Sequence, residues 1–163
     1  MEEDNKMSNI ENEMRVTLAS HSSNEAVARS VVTAFIMQMD PSVSELADIK
    51  TAVSEAVTNA IVHGYRNSSG NVEILCRILE RDVLYIRVRD KGCGIPDVKK
   101  AMEPLFTTVP EEERAGLGFA VMESFMDSVS VRSAVGKGTS VIMKKRILSA
   151  SLIRAGANEN ECR

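Results

Sequence analysis

Between Val43 and Ile61 the apolar residues Val43, Leu46, Ile49, Val53, Val57 and Ile61 recur at helical spacing, and Gly64 ends the run. A helix this long with a single apolar stripe has to bury that stripe against another layer of the same chain. The covering layer follows. Val72 to Leu79 and Val83 to Val88 are rich in β-branched residues and are joined by the polar turn Glu80-Arg81-Asp82. They read as an antiparallel hairpin with Val72, Ile74 and Cys76 on one face. Two more strands, 128–133 and 139–147, meet at the Gly136-Lys137-Gly138 turn.

Ahead of the long helix, Met14, Val16 and Leu18 alternate within Glu13 to Ser20 as a first strand. Ser22-x-x-Glu25 then reads as a capping box opening a helix to about Met39, with Val27, Val31, Val32, Phe35 and Ile36 toward the core. Asp40-Pro41 reads as the cap and first-turn proline of the long helix. A last helix begins after Gly116 and carries Val121, Met122 and Phe125. The order strand, helix, helix, hairpin, helix, hairpin predicts an α+β fold, with helices layered on one face of a mixed, mostly antiparallel sheet.

A chain of 163 residues that is 44% hydrophobic can build one core. The expected domain is 13–148, between polar, flexible ends at 1–12 and 149–163. With 20 Lys and Arg against 23 Asp and Glu, the net charge of −3 lacks the basic excess that grips a phosphate backbone, so no direct nucleic-acid binding is expected. Three cysteines without a C-x-x-C pair and two histidines argue against disulfides and structural zinc. No apolar run is long enough for a membrane span and the acidic start is unlike a signal peptide, so a cytoplasmic location is expected.

Four short constellations carry chemistry. Glu55 and Asn59 lie one helical turn apart on the long helix, a spacing that offers a base for a hydroxyl and an oxygen ligand for Mg²⁺. Alone, the pair reads more readily as a solvated helix face. Asp90-Lys91-Gly92-Cys93-Gly94 sits where a strand runs into a loop. A carboxylate there can accept a hydrogen bond from an exocyclic amine such as that of adenine, although D-x-G-x-G is equally ordinary turn chemistry. Arg114, Gly116 and Gly118 lead into a helix whose free amides suit phosphates, although alone Arg114 reads more readily as a surface partner of Glu111, Glu112 or Glu113. Gly138-Thr139 opens the final strand and carries meaning only through its place in the order.

In that order, E-x-x-x-N, D-x-G-x-G, a polar segment ending in G-x-G, then G-T, the series resembles the nucleotide-binding boxes of the GHKL superfamily, whose Bergerat fold is a two-layer sandwich. A closer resemblance, over about Asn12 to Lys145, is to the anti-sigma factor family of serine kinases from spore-forming bacteria. Its carriers are Ser54 to Tyr65, Pro104 to Thr108, Ser23-Asn24-Glu25 with Ala28-Arg29, and Val121 to Asp127. The resemblance implies ATP with Mg²⁺, a homodimer, a sigma factor of the sigma F type held inactive, and an anti-anti-sigma protein phosphorylated on serine. It makes Glu55 the general base, Asn59 the Mg²⁺ ligand and Asp90 the adenine reader. Gly92, Gly94, Gly116 and Gly118 shape the pocket, Arg114 touches the terminal phosphate, and Thr139 sits beside the base. Arg29, placed on the outer face by helix geometry, is either an ion pair with Glu25 or, by the resemblance, a contact shared by both protein partners. Val109 stands where the resemblance leads one to expect a lysine. Cys93 reads as filler between the glycines, and His63 as a packed or solvated side chain. Two other readings use the same boxes: a nucleotide-gated binding module without transfer, and a detached histidine-kinase catalytic domain.

Overall fold

A computed structural model describes residues 9–80, 82–104 and 117–148. The chain runs β1 (Ile10–Ala19), α1 (Asn24–Ile36), α2 (Val43–Asn59), β2 (Asn71–Leu79), β3 (Val83–Arg89), α3 (Val98–Met102), α4 (Gly118–Phe125), β4 (Ser128–Ala134) and β5 (Gly138–Arg146). A 3₁₀ turn, Met37–Met39, extends α1, and a widened π turn, Ala60–Gly64, extends α2.

The strands form one sheet in the order β1-β2-β3-β5-β4. All four neighbouring pairs are antiparallel, so the expected mixed sheet has no parallel pair among the described residues. The hairpins β2–β3 and β4–β5 account for two pairings, and β5 enters between β3 and β4 with Ile86 opposite Met143. β1 begins at Ile10 and not at Glu13. Asn12, expected to belong to the frayed extension, pairs with Ile78 just past a register shift.

One sheet face carries Ile74, Cys76, Leu84, Ile86 and Met143, each at most 2% exposed, under Ile49 and Val53 of α2 and Val32 and Ile36 of α1. Each fully buried Ile or Leu contributes roughly 1.5–3 kcal/mol. The apolar stripe of α1 differs from the expected one at its start. Ala28 is buried and Val27 is 43% exposed, because the stripe enters one residue later.

Both expected helix starts are corrected. At α1 the N-cap is Ser23 and not Ser22, with no side-chain cap: Ser23 Oγ bonds His21 Nδ1 at 2.8 Å, and the Glu25 carboxylate accepts from Ser54 and pairs with Arg29. Asp40 is left-handed, φ 51°, and closes the 3₁₀ turn. The capping box belongs to Ser42 and Glu45: the Glu45 N–H donates to Ser42 Oγ at 3.2 Å, and the Ser42 N–H to Glu45 Oε2 at 2.8 Å. The second oxygen of Glu45 accepts from the Leu148 N–H at 2.7 Å, tying the end of the described chain to the start of α2.

Candidate active site

A cavity of about 420 Å³ opens where the C-terminal end of α2 meets the ends of β3 and β5. Asp90, the residue after β3, forms its floor and is 4% exposed. Its backbone prolongs the β3–β5 ladder: its N–H donates to Thr139 O at 2.9 Å, and the Thr139 N–H returns to Asp90 O at 3.2 Å. The carboxylate accepts from the Gly92 N–H at 2.9 Å. Burial pushes the Asp90 carboxyl above the ordinary aspartate range, against the opposing pull of the Gly92 and Thr139 N–H groups. A buried acceptor facing a mostly apolar cavity selects ligands that present an N–H.

The loop after Asp90 can approach this closely only because of glycine. A Cβ on Gly92 would stand 2.0 Å from the carbonyl oxygen of Gly64, and one on Gly94, at φ +74°, would stand 2.1 Å from that of Ala134. Backbone bonds fasten both sides of the loop: the Cys93 N–H donates to Gly64 O and the Gly136 N–H to Cys93 O, each at 2.8 Å. Gly94 and Thr139 line the cavity, whereas Gly92 lies behind it against the π turn.

At the rim, Glu55 and Asn59 converge on the start of α4. A Cβ on Gly118 would meet Asn59 Nδ2 and Glu55 Oε2, each at 3.2 Å, so this glycine lets the helix close on both side chains. Asn59 and Gly118 line the cavity; Glu55 touches the site at its edge without lining it. Arg29 lies apart, on α1, and Arg114, Gly116, Val109 and residues 105–108 lie outside the described residues.

Several residues that build the site have roles that their local sequence does not reveal. The Tyr65 hydroxyl donates to Asn71 O at 2.6 Å and accepts the Lys91 N–H at 2.9 Å, pinning the loop beside Asp90. Ser133 Oγ accepts from the Ile95 N–H at 2.7 Å, donates to Gly138 O at 3.0 Å and shares a 2.8 Å bond with Thr139 Oγ1. His63, expected to be packed or solvated, lines the cavity with Arg66 and Lys100. Lys100 is carried there by α3, whose cap, Asp97 Oδ1 accepting from the Lys100 N–H at 3.1 Å, follows the Ile95-Pro96 step. At five residues α3 is too short for periodicity to show.

The residues fit a nucleotide: a buried acceptor at the floor, glycine-lined backbone around it, and an amide and a carboxylate at the rim. They also suit a hard divalent ion, since Asn59 and Glu55 offer oxygen donors. No group of three or more His, Cys, Asp or Glu converges among the described residues, so phosphates and water would have to complete its shell.

Residues 18–145 match the Histidine kinase-like ATPase domain family. Two solved structures share the fold at low identity. One contains the RsbU and RsbW domains of a Mycobacterium tuberculosis protein, with TM-score 0.62 and 20% identity over 83% of this chain and 32% of that one. The other is the catalytic domain of histidine kinase ThkA, with TM-score 0.51 and 16% identity over 82% of this chain and 98% of that one. The family match defines the class, a histidine kinase-like ATPase domain, and the two structures share its fold.

Sequence relatives narrow it. The Anti-sigma F factor of Geobacillus kaustophilus is 50% identical over 88% of this chain and 99% of its own length. That of Clostridium acetobutylicum is 52% identical over 84% and 95%. The chain belongs to the anti-sigma F factor family, a branch of the histidine kinase-like ATPase domains. Among the described residues no helix is long and apolar enough to cross a membrane.

Proposed function

We propose that the chain binds ATP with Mg²⁺, holds a sigma factor of the sigma F type inactive, and phosphorylates a serine of the anti-anti-sigma protein that opposes it. The observation that carries this reading is the cavity with the buried Asp90 carboxylate at its floor and the Glu55–Asn59 pair against Gly118 at its rim, in a chain about half identical to proteins named Anti-sigma F factor. Asp90 reads the amine of adenine. Gly92 and Gly94 admit the loop backbone, Thr139 stands beside the base, and Gly118 brings the amides at the start of α4 to the rim. Asn59 offers its carboxamide oxygen to the metal. Bound ATP supplies the transferable phosphoryl group. Glu55 takes the serine proton as the new O–P bond forms and ADP departs. Arg114 and Gly116 are assigned to the terminal phosphate by resemblance alone, and a homodimer is proposed on the same basis.

The test is incubation with γ-labelled ATP, a sigma factor of this type and its candidate antagonist. The sigma factor should be retained with ATP, and label should appear on the antagonist in an acid-stable ester. Retention without transfer would make the chain a nucleotide-gated binding module. Acid-labile label on histidine would make it a detached histidine-kinase domain.

A further inference from the structure

Where α1 crosses α2, away from the cavity, three polar side chains close on one another. Ser54 Oγ donates to Glu25 Oε1 at 2.5 Å. Arg29 Nη1 lies 3.3 Å from the same carboxylate oxygen and donates to Ser54 Oγ at 3.4 Å. Glu25 and Arg29 are one turn apart on α1, and Ser54 reaches them from α2. Both contacts of Arg29 use one nitrogen of its fork, and the side chain keeps 41% of its surface exposed. An arginine held only by an exposed i,i+4 partner samples many rotamers, and ordering it on binding costs affinity. Here a second helix supplies the missing restraint. Ser54 does not line the cavity, yet it directly precedes Glu55.

We propose that Ser54 is a positioning residue for the partner surface: by tying Glu25 to α2 it holds the Arg29 guanidinium in one orientation, with the unused edge of its fork turned outward for a partner carboxylate. The inference rests on the proposed binding of a sigma factor and takes Arg29, which the family resemblance makes a partner contact, as the docking point. It adds a physical link, because the residue that orients the docking arginine and the residue at the rim of the active site are neighbours on one rigid helix. A partner seated on Arg29 is thereby held in register with Glu55.

Two measurements test it. In chain labelled with ¹⁵N-arginine, Arg29 should give guanidinium signals shifted from those of a free side chain, and Ser54→Ala should bring them to the free position while Ser54→Thr keeps them. This arm needs no partner. If the signals of native chain and Ser54→Ala coincide, the bracket does not restrain Arg29 and the proposal falls. In titrations with the sigma factor at saturating ATP, Ser54→Ala should weaken binding by roughly 3- to 10-fold, the value of one ordinary hydrogen bond. ATP affinity should not change, and Ser54→Thr should restore the loss. In an Arg29→Ala background, Ser54→Ala should add nothing. The same loss in both backgrounds would overturn the positioning role. Signals that respond to Ser54→Ala in a chain that binds no sigma factor would instead overturn the functional reading and leave the bracket standing.

Discussion

The floor of the cavity and the α1–α2 seam hold their charges in opposite ways. Asp90 is 4% exposed, its backbone is part of a sheet ladder, and its carboxylate accepts from a loop that glycines fold back on the π turn. Arg29 stands 41% exposed on a helix surface, with one carboxylate and one hydroxyl as the partners of a single nitrogen. Keeping Asp90 ionised costs desolvation, which the Gly92 and Thr139 N–H groups offset only in part and a ligand donor would offset further. An exposed pair one turn apart is worth only about 0.3–0.5 kcal/mol, so it competes little with a partner carboxylate at the unused edge of the Arg29 fork. On the proposed reading, the floor suits one fixed ligand and the seam an exchange of partners.

The largest expected effect separates binding from transfer. Glu55→Gln should lower the phosphorylation rate by about 10²- to 10⁴-fold, the usual worth of a positioned base. ATP affinity should stay native, since Glu55 touches the site at its edge. Single-turnover transfer at the native rate would remove Glu55 from the chemistry.

At the seam, Arg29→Ala should weaken both the sigma factor and the anti-anti-sigma protein by roughly 30-fold, since truncating a desolvated interface arginine often costs about 2 kcal/mol. Thermal stability and ATP affinity should barely move. Native affinity for either partner in titration would show that they do not share this surface, and the contrast with the floor would lose its functional meaning.

Asp90→Asn sharpens the contrast through pH. On the proposed reading the ionised carboxylate accepts from the adenine amine, so native ATP affinity should fall as pH drops through the Asp90 pKa. Because burial raises that pKa, the fall should begin above the range of an ordinary aspartate. For the nucleotide-free fold the sign is reversed. An acid whose folded pKa is raised contributes stability as the neutral form below its unfolded pKa, about 3.9, and loses that contribution as pH rises through the folded value. Asp90→Asn should therefore melt higher than the native chain near neutral pH, with a gap that narrows on acidification, while its preference for ATP over GTP erodes. Melting curves that stay parallel across pH would show that desolvation of Asp90 is not the controlling cost.

The sequence made the seam and the floor legible to different degrees. Strands β2 and β3 and the long α2 announce themselves because their apolar residues keep period over whole elements, and Glu55, Asn59 and Asp90 stand at recognisable places within that frame. Helix starts were harder. Ser22-x-x-Glu25 and Ser42-x-x-Glu45 have the same pattern, and only the second makes a capping box, because Ser54 draws the carboxylate of Glu25 across to another helix. No local pattern contains that competitor. The roles of Tyr65 and Ser133 were hidden for the same reason: their hydroxyls serve backbone groups brought near only by the fold, across 26 residues for Lys91 and 38 for Ile95. Gly64 could be seen as a helix end, but not as the place where the Asp90 carboxylate comes within 2.9 Å of the position a Cβ would take.

The smallest expected effect tests whether the floor owes its precision to such unseen supports. Tyr65 is 6% exposed, and its hydroxyl bridges Asn71 O and the N–H of Lys91, the residue next to Asp90. Gly70 leaves room for the ring, since a Cβ there would stand 2.3 Å from Tyr65 Cε1. Tyr65→Phe keeps the ring and removes the bridge. Losing a hydrogen bond of this kind costs about 1 kcal/mol, which for a domain of this size is a drop of about 2–4 °C in Tm. Part of that loss should appear as affinity, because the freed N–H lets the Asp90 loop relax away from the cavity. ATP binding should weaken by roughly 2- to 5-fold, less than one hydrogen bond's full effect, with the preference over GTP retained because the carboxylate is still present. Sigma factor affinity at saturating ATP should be native, since the seam lies on the other side of α2. A lower Tm with native ATP affinity would mean that the hydroxyl supports the fold alone, leaving the backbone bonds of Cys93 and Gly136 as sufficient to hold the loop against its ligand.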